Sequence, residues 1–371
     1  MKNKRKRKSV GRAVRGAQRP RRGRPDPEAD DAPQTEKVLR GRDNRELPPD
    51  EASATERGGD VRDGRVVSIR GTQISVEPLA DPDETAAGDA PAPAEPVPTV
   101  LRKSTRVPHP EASAVAIGDR VRYLAEGEPP FVLTEIQPRR THLTRVRRGH
   151  EQHVIAANLD LGVMVASAVD PPFKPRLVDR YLISFAEGGL EPVLVLNKID
   201  LLEDVEPREL LAAYDPLPLP ALAVSAATGD GLPALREVLA GRTAVFAGQS
   251  GVGKSSLLNR LGGLDLRTNT IQESTGKGRH TTTHSTLYHF PFGGSVVDTP
   301  GVRSFQVHEP SPESLEAFFP EVIEAASHCR FRDCSHGGEA GCALPEAVEG
   351  GRVRPERLES FRILLDEVRG A

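Results

Sequence analysis

Tryptophan is absent from this chain of 371 residues, and aromatic side chains make up only 4% of it. Long hydrophobic runs are also missing, since none approaches the roughly 20 apolar residues that a membrane span needs. The start of the chain is basic and lacks the apolar stretch of a secretory signal peptide. With 37% hydrophobic residues, the chain can still bury a core. The composition therefore predicts a soluble protein, and the length favours two or three domains.

Cysteine is scarce, with only three residues that all fall between Cys329 and Cys342. A secreted scaffold held by disulfides would have more cysteines and an even number of them. We therefore expect a cytoplasmic protein whose thiols stay reduced.

The net charge of −3 hides a strong asymmetry between the start of the chain and the rest. Residues 1–24 carry +12 and contain no acid, whereas the other 347 residues sum to −15. Residues 1–55 have few large apolar side chains, so they are predicted to form a disordered basic tail. Such a block favours binding to the phosphates of a nucleic acid, and a solvated tail without a ligand is the alternative.

Residues 56–150 carry short strand signals. The stretch 63–78 alternates around Gly71, which predicts a hairpin, and 115–145 contains further strands with a turn at EGEPP. An Ala-, Pro- and acid-rich linker at 81–99 is not expected to form a strand. These signals predict a small β-barrel with an insertion. Five arginines after the barrel favour RNA contact over a merely solvated face: Arg139, Arg140, Arg145, Arg147 and Arg148.

Residues 151–305 alternate buried-type strands, such as EPVLVLN and RTAVFAG, with amphipathic helices. This alternation predicts a parallel α/β sheet that is covered on both faces. After residue 305 the chain is predicted to be helical, with Ser311 as an N-cap, Pro312 in the first turn and a last helix within 355–370.

The stretch GQSGVGKSS lies between a strand signal and a helix signal, as a phosphate-binding loop requires. Its glycines let backbone N–H groups turn toward phosphates, while Lys254 neutralises the β- and γ-oxygens and Ser255 binds Mg²⁺. The predicted nucleotide-binding residues of this loop are Gly248, Gln249, Ser250, Gly251, Val252, Gly253, Lys254, Ser255 and Ser256.

Two further motifs follow apolar strands and have the chemistry of a guanine site. In NKID, Asn197 can fix the loop geometry, Lys198 can lie along the base, and Asp200 can accept from both donors on the guanine edge. Adenine lacks that donor pair, so Asp200 would select GTP over ATP. In SAATG, Ser225 and Ala226 would back the base.

The γ-phosphate and its Mg²⁺ need further contacts. DTPG ends another apolar strand, where Asp298 can hold Mg²⁺ through water and the Gly301 N–H can face the γ-phosphate. The polar loop GKGRHTTTH (276–284) supplies three adjacent threonines, of which Thr282 is the preferred Mg²⁺ ligand. A merely flexible polar loop is the alternative.

The order of these motifs is unusual. NKID comes first and is followed by SA, the phosphate loop, the threonine loop and DTPG, whereas an ordinary GTPase begins with the phosphate loop. Because all of them end strands, they would converge at one edge of the sheet whatever their order along the chain. Joining the old termini and opening a new break would leave the pocket intact. The order therefore predicts a circularly permuted GTPase.

The cysteines form a metal-binding pattern with one histidine. Cys329, Cys334, His336 and Cys342 give three thiolates and an imidazole, a standard set for one structural Zn²⁺ ion. His328 directly precedes Cys329, so it would strain the chelate if it replaced His336. Three buried free thiols beside an exposed histidine are the alternative interpretation.

From about residue 61 to its end, the sequence resembles the circularly permuted, ribosome small-subunit-dependent GTPases of the RsgA (YjeQ/YloQ) family. The resemblance rests on ordered motifs that include PRRTHLTR, AVDPPFKPRLVDRYL, PVLVLNKIDLL, GQSGVGKSSLLN, GRHTTT, DTPGVRSF and CRFRDCSH. It implies an N-terminal OB-type β-barrel, a permuted α/β P-loop GTPase domain and a C-terminal helical zinc-binding domain.

With this family in mind, we divide the chain into a basic tail (1–55), a barrel with an insertion (56–150), a GTPase domain (151–305) and a zinc-binding domain (306–371). The resemblance implies GTP hydrolysis, stimulated by the small ribosomal subunit during its late maturation. The implied partners are that subunit with its rRNA, and GTP or GDP, and we expect a monomer. The tail and the insertion at 78–100 depart from the common family pattern.

The group that positions the hydrolytic water is not evident in the sequence. Many GTPases carry Gln directly after DxxG, but Val302 stands there, which predicts slow intrinsic hydrolysis. His280 in the threonine loop is the candidate catalytic residue, and the ribosome itself is the other source. Two readings of the whole protein stay open beside the preferred one. These are a permuted GTPase that acts on another ribosomal particle, and an RNA-binding module with a vestigial nucleotide site.

Overall fold

The computed structural model describes residues 60–79, 93–107, 115–146, 152–263, 285–298 and 310–370. The expected basic tail, most of the acidic insertion and the threonine loop with His280 and Thr282 lie outside these ranges. So do Gly301 and Val302.

The first unit is a five-stranded closed barrel. It consists of β1 (Val61–Arg70), β2 (Gln73–Pro78), β3 (Val97–Arg106), β4 (Arg120–Leu124) and β5 (Phe131–Ile136). The strands follow the order β1-β2-β3-β5-β4, and β4 closes the barrel by pairing with β1. Val66, Ile74, Val76, Val121 and Leu133 are buried inside it. The predicted hairpin is confirmed, because β1 and β2 turn at Gly71, whose φ is +61°.

One expectation in this region is wrong. The linker was expected to contain no strand up to Thr99, but β3 begins at Val97. Val97 pairs with Val76, and the Thr99 hydroxyl donates to the Ile74 carbonyl at 3.0 Å. The β-branched residues at the end of the linker therefore complete the barrel despite their proline neighbours.

The second unit is the predicted α/β sheet. Its parallel strands are β8 (Leu161–Ser167), β9 (Glu191–Asn197), β10 (Ala221–Ala223), β11 (Thr243–Ala247) and β13 (Ser295–Asp298), with β12 (Ser285–His289) antiparallel to β13. The order is β10-β9-β8-β11-β13-β12. Its helices are α1 (Pro175–Glu187), α2 (Pro207–Leu211), α3 (Leu232–Leu239) and α4 (Lys254–Gly262). A separate hairpin of β6 (His142–Val146) and β7 (Gln152–Ala157) precedes the sheet.

The two units share one sheet, because β12 pairs with β1 of the barrel through Ser68 opposite Thr286. Beside this seam, the buried Glu77 carboxylate of β2 lies 2.8 Å from the Arg65 guanidinium and 2.9 Å from Nε2 of His289. His289 belongs to β12, so a side-chain hydrogen bond reinforces the backbone pairing between the barrel and the α/β sheet.

The third unit is helical, as predicted. It contains α5 (Pro312–Phe318), α6 (Pro320–Ala326), α7 (Leu344–Glu349) and α8 (Pro355–Gly370). The Ser311 hydroxyl accepts from the Ser314 N–H at 3.1 Å, which confirms the N-cap. Pro320 lacks an N–H and therefore separates α5 from α6. The predicted sequence of barrel, α/β sheet and C-terminal helical unit is confirmed.

Candidate functional site

The predicted site residues follow the carboxyl ends of parallel strands. Asn197 ends β9, the phosphate loop follows β11 and Asp298 ends β13. Ser225 follows β10, the strand beside β9. Because the strands are parallel, these positions lie along one edge of the sheet, where α/β proteins bind their ligands.

The phosphate loop depends on backbone conformations that glycine tolerates best. Gly248, Gly251 and Gly253 have φ of +139°, +85° and +95°. A Cβ on Gly248 would lie 2.1 Å from the Val165 carbonyl oxygen, and a Cβ on Gly253 would lie 2.3 Å from Nδ2 of Asn197. The glycine pattern is thus required both by torsion and by close packing.

The loop leads directly into α4, at whose first position the Lys254 ammonium donates to the carbonyls of Gly248 and Gln249 at 2.6 and 2.9 Å. The Lys254 side chain therefore reaches across the phosphate loop, where the phosphates of a nucleotide would bind. Ser255 is half-buried in the first turn, while Ser250 and Ser256 are exposed. The N–H groups at the start of a helix and the positive end of the helix dipole favour an anion at such a place.

Asn197 joins three loops from a position that is only 1% exposed. Its side-chain amide donates to the Val252 carbonyl in the phosphate loop at 2.8 Å, and its Oδ1 accepts from the Ala226 N–H at 3.0 Å. The NKID, SA and phosphate loops are therefore bound to one another through a single side chain.

Asp200 is held by its neighbour in the adjacent loop. The buried Ser225 hydroxyl donates to Oδ1 of Asp200 at 2.5 Å and accepts from the Thr228 N–H at 3.0 Å. Asp200 is itself exposed, so its second oxygen can face a ligand. Sequence reasoning assigned Ser225 to backing the base and missed this orienting contact, since no motif specifies which loops meet.

Lys198 has a left-handed backbone conformation, with φ of +64°. Its ammonium donates to the Asp170 carbonyl, which also accepts from the Ser167 hydroxyl at 3.0 Å. The segment between β8 and α1 is thereby attached to the NKID loop. The aliphatic stem of a lysine in this position can cover one face of a planar base.

Asp298 is half-buried at the end of β13, opposite Thr286 of β12. Its partners in magnesium binding and hydrolysis, Thr282, Gly301 and His280, lie outside the described residues. Their predicted roles therefore stay predictions.

The four predicted metal ligands come together in the C-terminal unit. The ligand atoms of Cys329, Cys334, His336 and Cys342 all lie within 4.8 Å of one another. Sγ of Cys329 is 3.8 Å from Nδ1 of His336. Ligands of a tetrahedral zinc ion with bonds of about 2.3 Å stand roughly 3.8 Å apart, so the group can hold one metal ion.

Neighbouring groups orient this cluster. The Ala343 N–H donates to Sγ of Cys329 at 3.3 Å, and Arg362 of α8 donates to the His336 carbonyl at 2.6 Å. Burial, together with the neighbouring Glu339 carboxylate, raises the pKa of the Cys334 thiol to about 12. A bound cation would reverse this by stabilising the thiolate, so metal binding would release protons.

The basic run after the barrel is not a uniform surface. Arg139 is almost fully buried in a salt bridge with Asp119 at 2.8 Å, which fixes the end of the barrel. Arg140 is exposed and pairs with Asp160 at 2.5 Å. RNA contact by Arg139 would require this pair to break, so its inclusion in the predicted RNA-facing run is wrong.

A phosphate loop preceded along the chain by a guanine-type NKxD loop, on one parallel sheet, defines a circularly permuted P-loop GTPase. Comparison with known proteins supports this assignment. The profile of the RsgA GTPase family matches residues 136–308. The chain belongs to this family and is a GTPase, since its relatives match over most of their length.

The small ribosomal subunit biogenesis GTPase RsgA of Azotobacter vinelandii is 40% identical over 315 residues, which cover 83% of this chain and 87% of the relative. The RsgA protein of Chlorobaculum tepidum is 44% identical over 273 residues, or 69% and 86% of the two chains. Among solved structures, YjeQ from Thermotoga maritima superposes with a TM-score of 0.61 at 31% identity, covering 84% of this chain and 99% of its own. YloQ, described as a circularly permuted GTPase, gives 0.59 at 27%, covering 84% and 96%.

Among the described residues, no helix combines the length and the apolar character required to cross a bilayer.

Proposed function

We propose that this protein binds GTP with Mg²⁺ at the edge of its parallel sheet and hydrolyses it. Backbone N–H groups of residues 248–256 hold the phosphates, and Lys254 leaves the loop carbonyls for the β- and γ-oxygens. Ser255 binds Mg²⁺, assisted by Asp298 through water and by Thr282, and the Gly301 N–H faces the γ-phosphate. Hydrolysis rests on positioning and charge neutralisation, with His280 as the candidate catalytic residue.

Guanine selection is assigned to the NKID and SA loops. The observation that carries the proposal is Asn197, which ties the phosphate loop to both of them with bonds of 2.8 and 3.0 Å. A structural glycine turn would have no need of this connection. Ser225 aims Asp200 at the two donors of guanine, Lys198 covers one face of the base, and Ala226 supports the other.

We further propose that the protein acts in late maturation of the small ribosomal subunit and binds its rRNA. The names of the relatives support this role, as does a closed five-stranded barrel of the type that binds oligonucleotides. The C-terminal ligand group takes one structural Zn²⁺ ion, because four protein ligands leave no position for water. We place the protein in the cytoplasm as a monomer and retain domain boundaries near residues 55, 150 and 305.

The test is GTP turnover by the full chain alone, with purified small subunits and with purified large subunits. Intrinsic hydrolysis should be slow, and small subunits should stimulate it strongly. Stimulation by large subunits alone would support a role on another particle, and no binding or turnover of GTP would support a vestigial site. A Lys254→Ala variant controls for contaminating hydrolases and should lose turnover under all three conditions.

A further inference from the structure

One fully buried arginine joins the C-terminal unit to the α/β unit. Arg357 of α8 is 1% exposed, and it donates to Asp179 of α1 at 3.0 Å and to Glu321 of α6 at 2.8 Å. We call Arg357, Asp179 and Glu321 the Arg357 cluster. The same guanidinium also donates to the Phe318 carbonyl at the end of α5 at 2.6 Å, so one side chain of α8 contacts three other helices.

The walls of the cluster are aromatic. The guanidinium carbon of Arg357 lies 4.0 Å from the ring centroid of Phe319 and 5.7 Å from that of Tyr214. Burial raises the pKa of Asp179 even though Arg357 opposes the shift, which marks a strongly dehydrated carboxyl group. Buried ion pairs add little net stability relative to apolar side chains, and in some proteins they enforce one arrangement of the surrounding elements.

The part of α8 that follows Arg357 contacts the metal-binding group. Arg362 donates to the His336 carbonyl at 2.6 Å, and Arg369 donates to the Ser335 carbonyl at 3.2 Å. The Phe361 ring lies 6.3 Å from the His336 ring. A single helix therefore contacts both the Arg357 cluster and the loop that carries a metal ligand.

The helix α1, which carries Asp179, connects the Arg357 cluster to the proposed nucleotide site. It begins at Pro175, directly after the segment whose Asp170 carbonyl accepts from Lys198. The Ala168 N–H of that segment donates to the Asn197 carbonyl at 2.9 Å. A Cβ added to Gly251 would lie 3.6 Å from Cδ of Pro171, so the segment runs beside the phosphate loop as well.

We propose that Arg357 is a positioning residue that couples metal binding to nucleotide binding. It fixes α8, which supports the loop that carries His336, against α1, which follows the segment bonded to the NKID loop. When one ligand orders its own loops, the entropy cost of ordering the loops at the other site falls. Zn²⁺ and GDP therefore each bind more tightly when the other is present. The inference rests on the proposed GTP and zinc sites.

The first experiment uses the unaltered full chain. Zinc affinity is measured by competition with a chromogenic chelator, with and without saturating GDP, and GDP affinity is measured with and without zinc. We expect GDP to tighten zinc binding by at least about 5-fold, and zinc to tighten GDP binding by the same factor. Unchanged affinities would overturn the coupling, whereas failure to bind GDP or zinc at all would refute the proposed sites instead.

The second experiment replaces the three charged residues of the Arg357 cluster with apolar residues of similar volume. Arg357→Met combined with Asp179→Leu and Glu321→Leu should fold, because apolar replacements of whole buried ionic groups are tolerated. This variant should bind zinc and GDP with a coupling factor near 1. Arg354→Met is the matched control, since Arg354 is an exposed arginine directly before the same helix, and it should keep the full factor.

Circular dichroism shows whether the triple variant folds. If it does not, Asp179→Asn retains the shape of the side chain but removes its charge, and it should at least halve the coupling factor. A full coupling factor in whichever of these two variants folds would show that the Arg357 cluster does not transmit the effect.

Discussion

Replacing Asn197 with alanine tests whether one side chain organises the nucleotide site. Asn197 is only 1% exposed, and the substitution leaves the carbonyl of the buried Val252 and the N–H of the half-buried Ala226 without their partner. A buried polar group that loses its hydrogen bond costs about 1–3 kcal/mol. Because the loops can relax and let water reach one of these two backbone groups, we expect the free energy of unfolding to fall by about 2–4 kcal/mol.

The nucleotide would then have to order the three loops by itself. If this ordering takes roughly 2 kcal/mol of binding free energy, GDP affinity falls about 30-fold. Urea unfolding gives the first quantity, and titration with a fluorescent GDP analogue gives the second. Native stability and native affinity in Asn197→Ala would refute the role assigned to this residue.

Asn158→Ala provides a matched control. Asn158 also bridges two backbone groups, since it donates to the Gly118 carbonyl at 3.0 Å and accepts from the Arg140 N–H at 2.9 Å. These contacts lie beside the barrel and not in the nucleotide loops. We expect Asn158→Ala to reduce stability but to leave GDP affinity within about twofold, so the two variants separate general destabilisation from loss of the site.

Three further predictions concern single positions. Asp200→Asn should shift nucleotide preference from guanine toward xanthine in competition binding, and unchanged preference would mean that NKID does not read the base. Gly253→Ala should weaken GDP binding more than tenfold, because its Cβ would lie 2.3 Å from Nδ2 of Asn197. Gly263→Ala is the control: its Cβ meets no atom within 4 Å, so it should only strain the backbone at the end of α4. Burial opposes ionisation of Glu77, but hydrogen bonds led by His289 outweigh it and lower its pKa. The ionised carboxylate therefore stabilises the fold above pH of about 4.3 and loses that contribution as the pH falls through the lowered value. Glu77→Gln should destabilise the protein by about 1–3 kcal/mol at pH 7 in urea unfolding, and the difference from the unaltered chain should shrink in acid; a constant difference would contradict this assignment.

Local patterns in the sequence were enough to predict the hairpin at Gly71, the Ser311 cap, the glycine-rich loop and the four clustered metal ligands. Each of these depends on residues that are close in the chain and on chemistry that few residue types provide. The circular permutation was also predictable, because the motif order is read directly from the sequence.

Contacts between distant segments were not predictable in the same way. Arg357 and Asp179 are separated by 178 positions, and each alone reads as a charged residue on an exposed helix face. Arg139 was assigned to an RNA-facing run because its buried salt bridge with Asp119, 20 positions earlier in the chain, cannot be recognised from the neighbouring sequence. The strand at Val97 was missed because proline and acidic neighbours outweighed the local β-branched residues, whereas pairing with β2 decided the outcome.

The pairing of β1 with β12 has a consequence for any attempt to divide this protein. A chain that lacked the barrel would leave the outer edge of β12 with unpaired N–H and C=O groups, and such edges recruit strands from other molecules. The isolated α/β unit should therefore self-associate, because the barrel covers this edge in the intact chain. In the intact chain, melting of the barrel would uncover the strand that ends the GTPase sheet, so the two units should lose their structure together.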